Sequence, residues 1–251
     1  MGEHVAPTTP AKKKRSNIFW NIVGVVGELL ITFAIIVGLF SVWQLYWTTY
    51  EVAGQVSQTI ASYEEEHQPS KRTLGEVRTD DPPAFDREVG DGEVYGLVHV
   101  PTWDWMKIPL AEGTTSYVLD QGWAGHYDMT TQPGGVGNFS VAGHRRTYGN
   151  NFRWIDRLTQ GDKVVVEVDD HYLVYSMVSS EIIDATDPTQ MRVVAPVIDD
   201  VSWSETPTER WMTMTTCHPQ FSNAERMIVH AMHVRTDPKA DGFRPAELEE
   251  K

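Results

Sequence analysis

Trp211-Met212-Thr213-Met214-Thr215-Thr216-Cys217-His218-Pro219 is the stretch that decides how the fold of this chain is read. Threonine, tryptophan and methionine in unbroken succession read as a β-strand, and the proline ends it. Cys217 is the only cysteine in 251 residues. It stands at the strand exit, where a side chain is offered to solvent. One reading is a small, inert, buried thiol. The other is a nucleophile whose reactivity its surroundings set.

Working outward, the pattern stays mostly strand. Tyr95–Val100, Met106–Leu110, a short segment around Gly125–Tyr127, Asn138–Ala142, Asp162–Val168, Tyr172–Ser180, Trp211–Cys217 and Arg226–Val234 make eight strands. Asp169-Asp170-His171 reads as a hairpin turn, and Phe152–Leu158 as a helical turn stopped near Gly161. Short strands at close spacing predict a small β-barrel or sandwich over residues 93–235. Glu181–Arg210 is the longest stretch without strand character, and long ordered loops often bind substrate.

The N-terminal third has a different character. Lys12-Lys13-Lys14-Arg15 precedes an apolar run from Ile18 to Trp47 that only Glu28 interrupts with a charge. From Trp20 to Trp43, helix at ~1.5 Å per residue measures roughly 36 Å, which exceeds the ~30 Å hydrocarbon core of a bilayer. A cleaved signal peptide has an apolar core of only ~7–15 residues, so an uncleaved anchor is expected. The basic cluster belongs in the cytoplasm and the rest of the chain outside it, with Phe19 and Trp20 at one interface and Trp43, Tyr46, Trp47 and Tyr50 at the other. The expected organisation is a basic cytoplasmic tail (1–17), a transmembrane anchor (18–47), an extracellular linker or stalk (48–92), the catalytic domain (93–235) and a polar disordered tail (236–251). A short helix continuing from the anchor through Ile60 is the only order expected in the stalk.

Residues 1–17 carry a net charge of +3. The whole chain carries −14, so the remainder carries −14 less +3, or −17. An acidic exterior argues against nucleic-acid binding, which needs basic patches. No cofactor or metal is expected: the sequence has neither HExxH nor paired Cys/His spacing, neither GxxxxGK[ST] nor GxGxxG. Gly134-Gly135-Val136-Gly137 precedes a strand rather than a helix, so it is not a phosphate cradle.

A lone thiol outside the cytoplasm, where cysteines normally pair, suggests a reactive group. It needs a proton-exchanging partner. His171 lies in the turn and is expected to be exposed; His99 reads as structural; His218 adjoins Cys217 and points to the opposite face; His230 and His233 lie on opposite faces of the last strand. His126 and His144 remain, and the tight turn of Ala142-Gly143-His144-Arg145-Arg146 favours His144. Acyl transfer also creates an oxyanion that needs donors. Arg226 opens the strand after Cys217, and antiparallel pairing would bring the two together; Arg145 and Arg146 compete for the role. No aspartate or asparagine has a clear claim as a third catalytic partner.

With these residues on the page, the stretch 93–235 resembles a sortase, most like the class E sortases of actinobacteria, with class D second. The resemblance rests on His144 in AGHR, Cys217 in TTCHP and Arg226 in ERMIVH, in that order. The segments Gly125-His126-Tyr127, 133–139 (PGGVGNF) and 143–149 (GHRRTYG) add to it. It implies an eight-stranded sortase β-barrel and a cysteine transpeptidase. In that family Cys217 would cleave a C-terminal LAxTG- or LPxTG-like sorting signal of a secreted protein between Thr and Gly, forming a thioester. His144 would protonate the leaving amine, and Arg226 would hold the substrate and the oxyanion. The acceptor amine would come from lipid II or from a pilin lysine. Thr216, and Tyr148 by analogy with class E, would contact the signal. Met212 and Met214 replace the leucine or valine common before TTC and should face inward. Two other classes stay open: a thiol hydrolase using the same residues, and a membrane-tethered module with an inert thiol.

Overall fold

The computed structural model describes residues 18–68, 85, 87–104, 106–169, 171–240 and 243–249. The basic cluster Lys12–Arg15, most of the stalk between residues 69 and 84, and Asp170 of the expected turn lie outside them. The chain divides between Trp43 and Gln44 into two units.

The first unit is the helix α1, Ile18–Val42, apolar on every face, with large side chains such as Phe19, Leu29, Ile36 and Phe40 exposed. A helix that is hydrophobic all round has no polar face to turn to water. By length and composition it is able to cross a membrane. A π-helical turn, Trp43–Trp47, follows it.

The second unit is a closed barrel of eight strands in the order β1-β2-β3-β4-β7-β8-β6-β5. The strands are β1 Val94–Val100, β2 Met106–Glu112, β3 Ala124–His126, β4 Gly137–Ala142, β5 Lys163–Val168, β6 His171–Asp184, β7 Arg210–His218 and β8 Glu225–Pro238. Each matches a segment expected from the sequence, and β6 and β8 run further. β2–β3 and β4–β7 pair in parallel, the other neighbours antiparallel. Alternation along β7 puts Met212 and Met214 inside, fully buried with Phe139, Val141, Val229 and Ala231. Thr213, Thr215 and Cys217 therefore point outward. A second, smaller core forms on that outer side, where Ile183 and Ile228 meet Val193 and Val194 of the β6–β7 connection, with Tyr127 and Trp203 against them.

Three expectations need correction. The helix expected through Ile60 is present and runs further, as α2 (Thr48–Glu66), with Val52 and Tyr63 buried and contacts to β1 and β2, so this part of the expected linker packs on the barrel. Few of its side chains are apolar, so the periodic signal is weak; contact with the barrel compensates for poor intrinsic patterning. Residues 236–240 and 243–249 are not a loose tail either. β8 continues to Pro238, and a 3₁₀ turn, Ala246–Leu248, buries Leu248 against Val165, Tyr172 and Val174. Arg235 ties this segment down through Glu247 and Asp237 (2.9 Å). Finally, His171 is buried at the start of β6, between Val168 and Pro238 in the ladder, because the turn is shorter than expected.

Candidate active site

The sheet register builds the site. In the antiparallel β7–β8 pair Cys217 stands directly opposite Arg226. Opposite residues share a face, so their side chains leave the barrel on the same side. In the parallel β4–β7 pair Ala142 lies beside Thr215, and the Gly143 amide donates to the Thr215 carbonyl (3.1 Å). The turn after β4 thus runs alongside the end of β7 and carries His144 there. A Cβ on Gly143 would sit 2.7 Å from ring carbons of Phe152, so only glycine lets the turn pack this closely.

The His144 loop is tied at several points. The Phe152 amide donates to the His144 carbonyl (2.9 Å). Thr147, Tyr148, Gly149 and Asn150 all adopt left-handed φ values (71, 43, 91 and 52°). Such clusters of non-glycine residues at positive φ persist where surrounding contacts over-determine them, often at functional sites. The Tyr148 ring lies 5.4 Å from the His144 ring. Arg145, almost wholly buried, reaches from this loop to the end of β7. Its Nη1 contacts His218 Nδ1 (2.8 Å) and donates weakly to the Cys217 carbonyl (3.4 Å), while Nη2 donates to Asp156 (2.9 Å). Arg146 donates to Gln220 through Nε (3.0 Å) and stacks over Phe221 (4.7 Å). Both competitors of Arg226 are thus engaged elsewhere. Arg226 uses Nη1 for the carbonyls of Asn223 (2.8 Å) and Glu225 (3.0 Å), which leaves the rest of its fork of donors.

The other histidine candidate is settled by its partners. His126 is fully buried, with Nδ1 on Glu112 (2.9 and 3.0 Å) and Nε2 on the Thr131 carbonyl and Thr130 hydroxyl (both 3.0 Å). Both ring nitrogens are occupied by structure, so it is no proton shuttle. His99 is likewise buried on Glu167 (2.9 Å), and His230 on Thr213 (2.9 Å). Among the described residues, no group of three or more His, Cys, Asp or Glu side chains is arranged to hold a metal.

Beside Cys217 and Arg226 the outer face opens into a cavity of about 210 Å³ lined by Tyr127, Ile183, Met191, Val194, Thr215 and Arg226, among others. The β6–β7 connection supplies one wall, including its 3₁₀ helix Pro188–Val194. Thr215, not Thr216, lines this cavity. Thr216 is buried on the other face and donates to the Gly143 carbonyl (2.6 Å), an alternation along β7 that separates the two threonines. Tyr127 was not singled out from the sequence. Its hydroxyl bonds Thr215 (2.9 Å); burial pushes its pKa up, against the opposing pull of the Thr215 hydrogen bond and the Arg226 charge. Asp120 was missed as well: its Oδ1 lies 2.8 Å from His144 Nε2.

Comparison with known proteins agrees with this geometry. The sortase-domain family model matches residues 98–234. Sortase SrtE2 of Streptomyces coelicolor is 32% identical over 244 residues, 94% of this chain and 92% of that protein. Sortase SrtE1 of the same organism is 36% identical over 223 residues, 86% of this chain, although the match spans only 58% of that longer protein. The structure of Sortase E1 with a tripeptide in its active site superposes with a TM-score of 0.54 and 38% identity, covering 63% of this chain and 99% of the other. The SrtA sortase of Actinomyces oris superposes with a TM-score of 0.63 and 42% identity, covering 70% of this chain and 98% of that one. Barrel, register and relatives agree: the chain belongs to the sortase family of cysteine transpeptidases, among relatives of class E.

Proposed function

We propose that this protein is a membrane-anchored sortase that joins secreted proteins to an amine on the cell surface. The observation that carries the reading is the register: Cys217 faces Arg226 across β7–β8, and the β4–β7 pairing brings His144 alongside. The Cys217 thiol gives its proton to His144, and its sulfur attacks the Thr carbonyl of an LAxTG- or LPxTG-like sorting signal. The Thr–Gly C–N bond breaks, the leaving amine takes a proton from His144, and a thioester remains. An acceptor amine then attacks the thioester carbonyl, its proton passes to His144, and the C–S bond breaks with the sulfur leaving as a thiolate, which regains its proton from His144. Arg226 directs its donors at the developing oxyanion and at the signal's backbone.

The cavity beside Arg226 supports the choice of signal. Its floor of Ile183, Val193, Val194 and Ile228 is apolar and suits a leucine followed by a small residue. Tyr127 and Thr215 supply polar contacts there, in the part the resemblance gave to Thr216. Tyr148 contacts the threonine end of the signal, a reading supported by its ring lying 5.4 Å from that of His144. Lipid II, or a pilin lysine in an assembly sortase, provides the acceptor. The helix α1 holds the protein in the plasma membrane as a single pass, N-terminus in the cytoplasm and barrel outside.

The deciding experiment supplies the full-length protein in detergent with an LAxTG peptide and triglycine. The ligated peptide is expected, and it should vanish in Cys217→Ala, His144→Ala and Arg226→Ala. Free acid as the sole product at saturating triglycine would make the protein a thiol hydrolase. Unaltered turnover in Cys217→Ala would sink the thiol mechanism altogether.

A further inference from the structure

We propose that Asp120 is a positioning residue for His144, and that the helix α2 holds it in place; this rests on the transpeptidase reading above. The topology explains the meeting. β3 runs antiparallel to β4, so the segment entering β3 lies beside the segment leaving β4. Asp120 closes the short helix α3 (Ser116–Leu119) just before β3, and His144 follows β4. The Asn151 side chain ties the same two segments, donating to the Trp123 carbonyl (2.7 Å).

The chemistry follows from which atoms meet. A carboxylate only accepts hydrogen bonds, so the proton of the pair sits on His144 Nε2. That fixes the tautomer of the neutral ring, and Nδ1 becomes the nitrogen that takes a proton from an attacking amine and returns it to a leaving one. When the ring is charged, the same carboxylate stabilises the imidazolium. The two side chains are 27% and 36% exposed, so water screens the pair and the effect is moderate.

Behind Asp120 stands α2. Gly122, at a φ of 76°, is sandwiched so closely that a Cβ there would lie 3.0 Å from Val56 of α2 and 3.1 Å from the Tyr148 carbonyl. On the other side of the junction, Asn150 donates to the Thr49 hydroxyl of α2 (3.2 Å). One helix therefore backs both the loop that carries Asp120 and the loop that carries His144 and Tyr148.

The test uses full-length protein in detergent, the LAxTG peptide and triglycine. Asp120→Ala should lower kcat about tenfold with KM for the peptide within about twofold, the size expected for losing one screened, charge-assisted contact to the acid–base group. Asp120→Asn keeps an oxygen that accepts from Nε2–H and should recover most of kcat. A wild-type kcat in Asp120→Ala overturns the proposal. So does a loss confined to KM, which would make Asp120 a substrate contact, or an Asp120→Asn as poor as the alanine variant. Val56→Asp, which drives a charge against Gly122, should reproduce the kcat loss and add little to it in the double variant, as coupled sites do. Fully additive losses overturn the role of α2. Should thermal melting show Val56→Asp unfolded, Thr49→Val, which removes the acceptor of Asn150, answers the same question. Cys217→Ala run in parallel separates the two levels: activity surviving there refutes the transpeptidase reading, whereas its loss with an indifferent Asp120 refutes only the present inference.

Discussion

Replacing Lys239 by methionine keeps the side-chain stem and removes its charge. In the structure the Lys239 ammonium donates to Glu167, whose other oxygen meets His99 Nε2 at 2.9 Å. All three side chains are about 95% buried. Burial pushes the Glu167 carboxyl up, but the hydrogen bonds and charges of His99 and Lys239 outweigh it and hold the group below its ordinary range. Removing one partner of a buried ion pair costs about 3–5 kcal/mol. His99 stays in contact with the carboxylate at 2.9 Å, so the lower end applies, about 3 kcal/mol. For a folded unit of this size each kcal/mol moves the melting temperature by about 2–4 °C, so Lys239→Met should melt about 6–12 °C lower at neutral pH. Tryptophan fluorescence follows the transition. The double variant Glu167→Gln, Lys239→Met removes both charges and should regain part of the loss. A carboxyl depressed by folding stabilises above its unfolded pKa and loses that contribution as pH falls through its folded pKa. Without Lys239 the loss should therefore begin at higher pH. A shift of less than about 1 °C in the single variant would refute both the ion-pair argument and the docking of residues 236–240 on the barrel.

Gly143→Ala should lower turnover while leaving Cys217 open to alkylation, because the new Cβ strikes Phe152 and displaces the His144 turn; unchanged turnover would contradict the packing. Tyr127→Phe removes the hydroxyl bonded to Thr215 on the cavity wall, and a severalfold rise in KM for the sorting peptide is expected in steady-state assays, with kcat little changed. His233 is held down to about 4, by burial first and then by the charge of Arg210. Its contribution to stability is complete above the unfolded value near 6.5 and is lost as pH falls toward 4, so His233→Gln should flatten that limb of a melting-temperature profile. Met214→Ala, at a fully buried position of the main core, should cost about 2–5 kcal/mol in chemical denaturation.

The strands were legible because each carries its own signal: Met212 and Met214 alternate with Thr213 and Thr215, and Val164, Val166 and Val168 fill one face of β5. The pairing of Cys217 with Arg226 was also legible, since an antiparallel connection fixes which residues meet. Contacts between distant segments were not. Asp120 meets His144 only because β3 and β4 are neighbours, and nothing in the spacing of those residues encodes that. The helix α2 and residues 236–240 and 243–249 look like linker because their few buried groups, Val52, Tyr63, Lys239 and Leu248, are sparse and acquire meaning only against the barrel. Thr215 and Thr216 are identical neighbours, and only the phase of β7 tells which one reaches the cavity.

The parallel pairing of β4 with β7 also separates the nucleophile from its activation in time. Parallel neighbours cannot be joined by a tight turn, and the segment between these two includes β5 and β6. His144 and Cys217 thus meet only after most of the barrel has closed. Until then the cysteine has no acid–base partner alongside and no arginine opposite it, so completing the fold is what assembles the site.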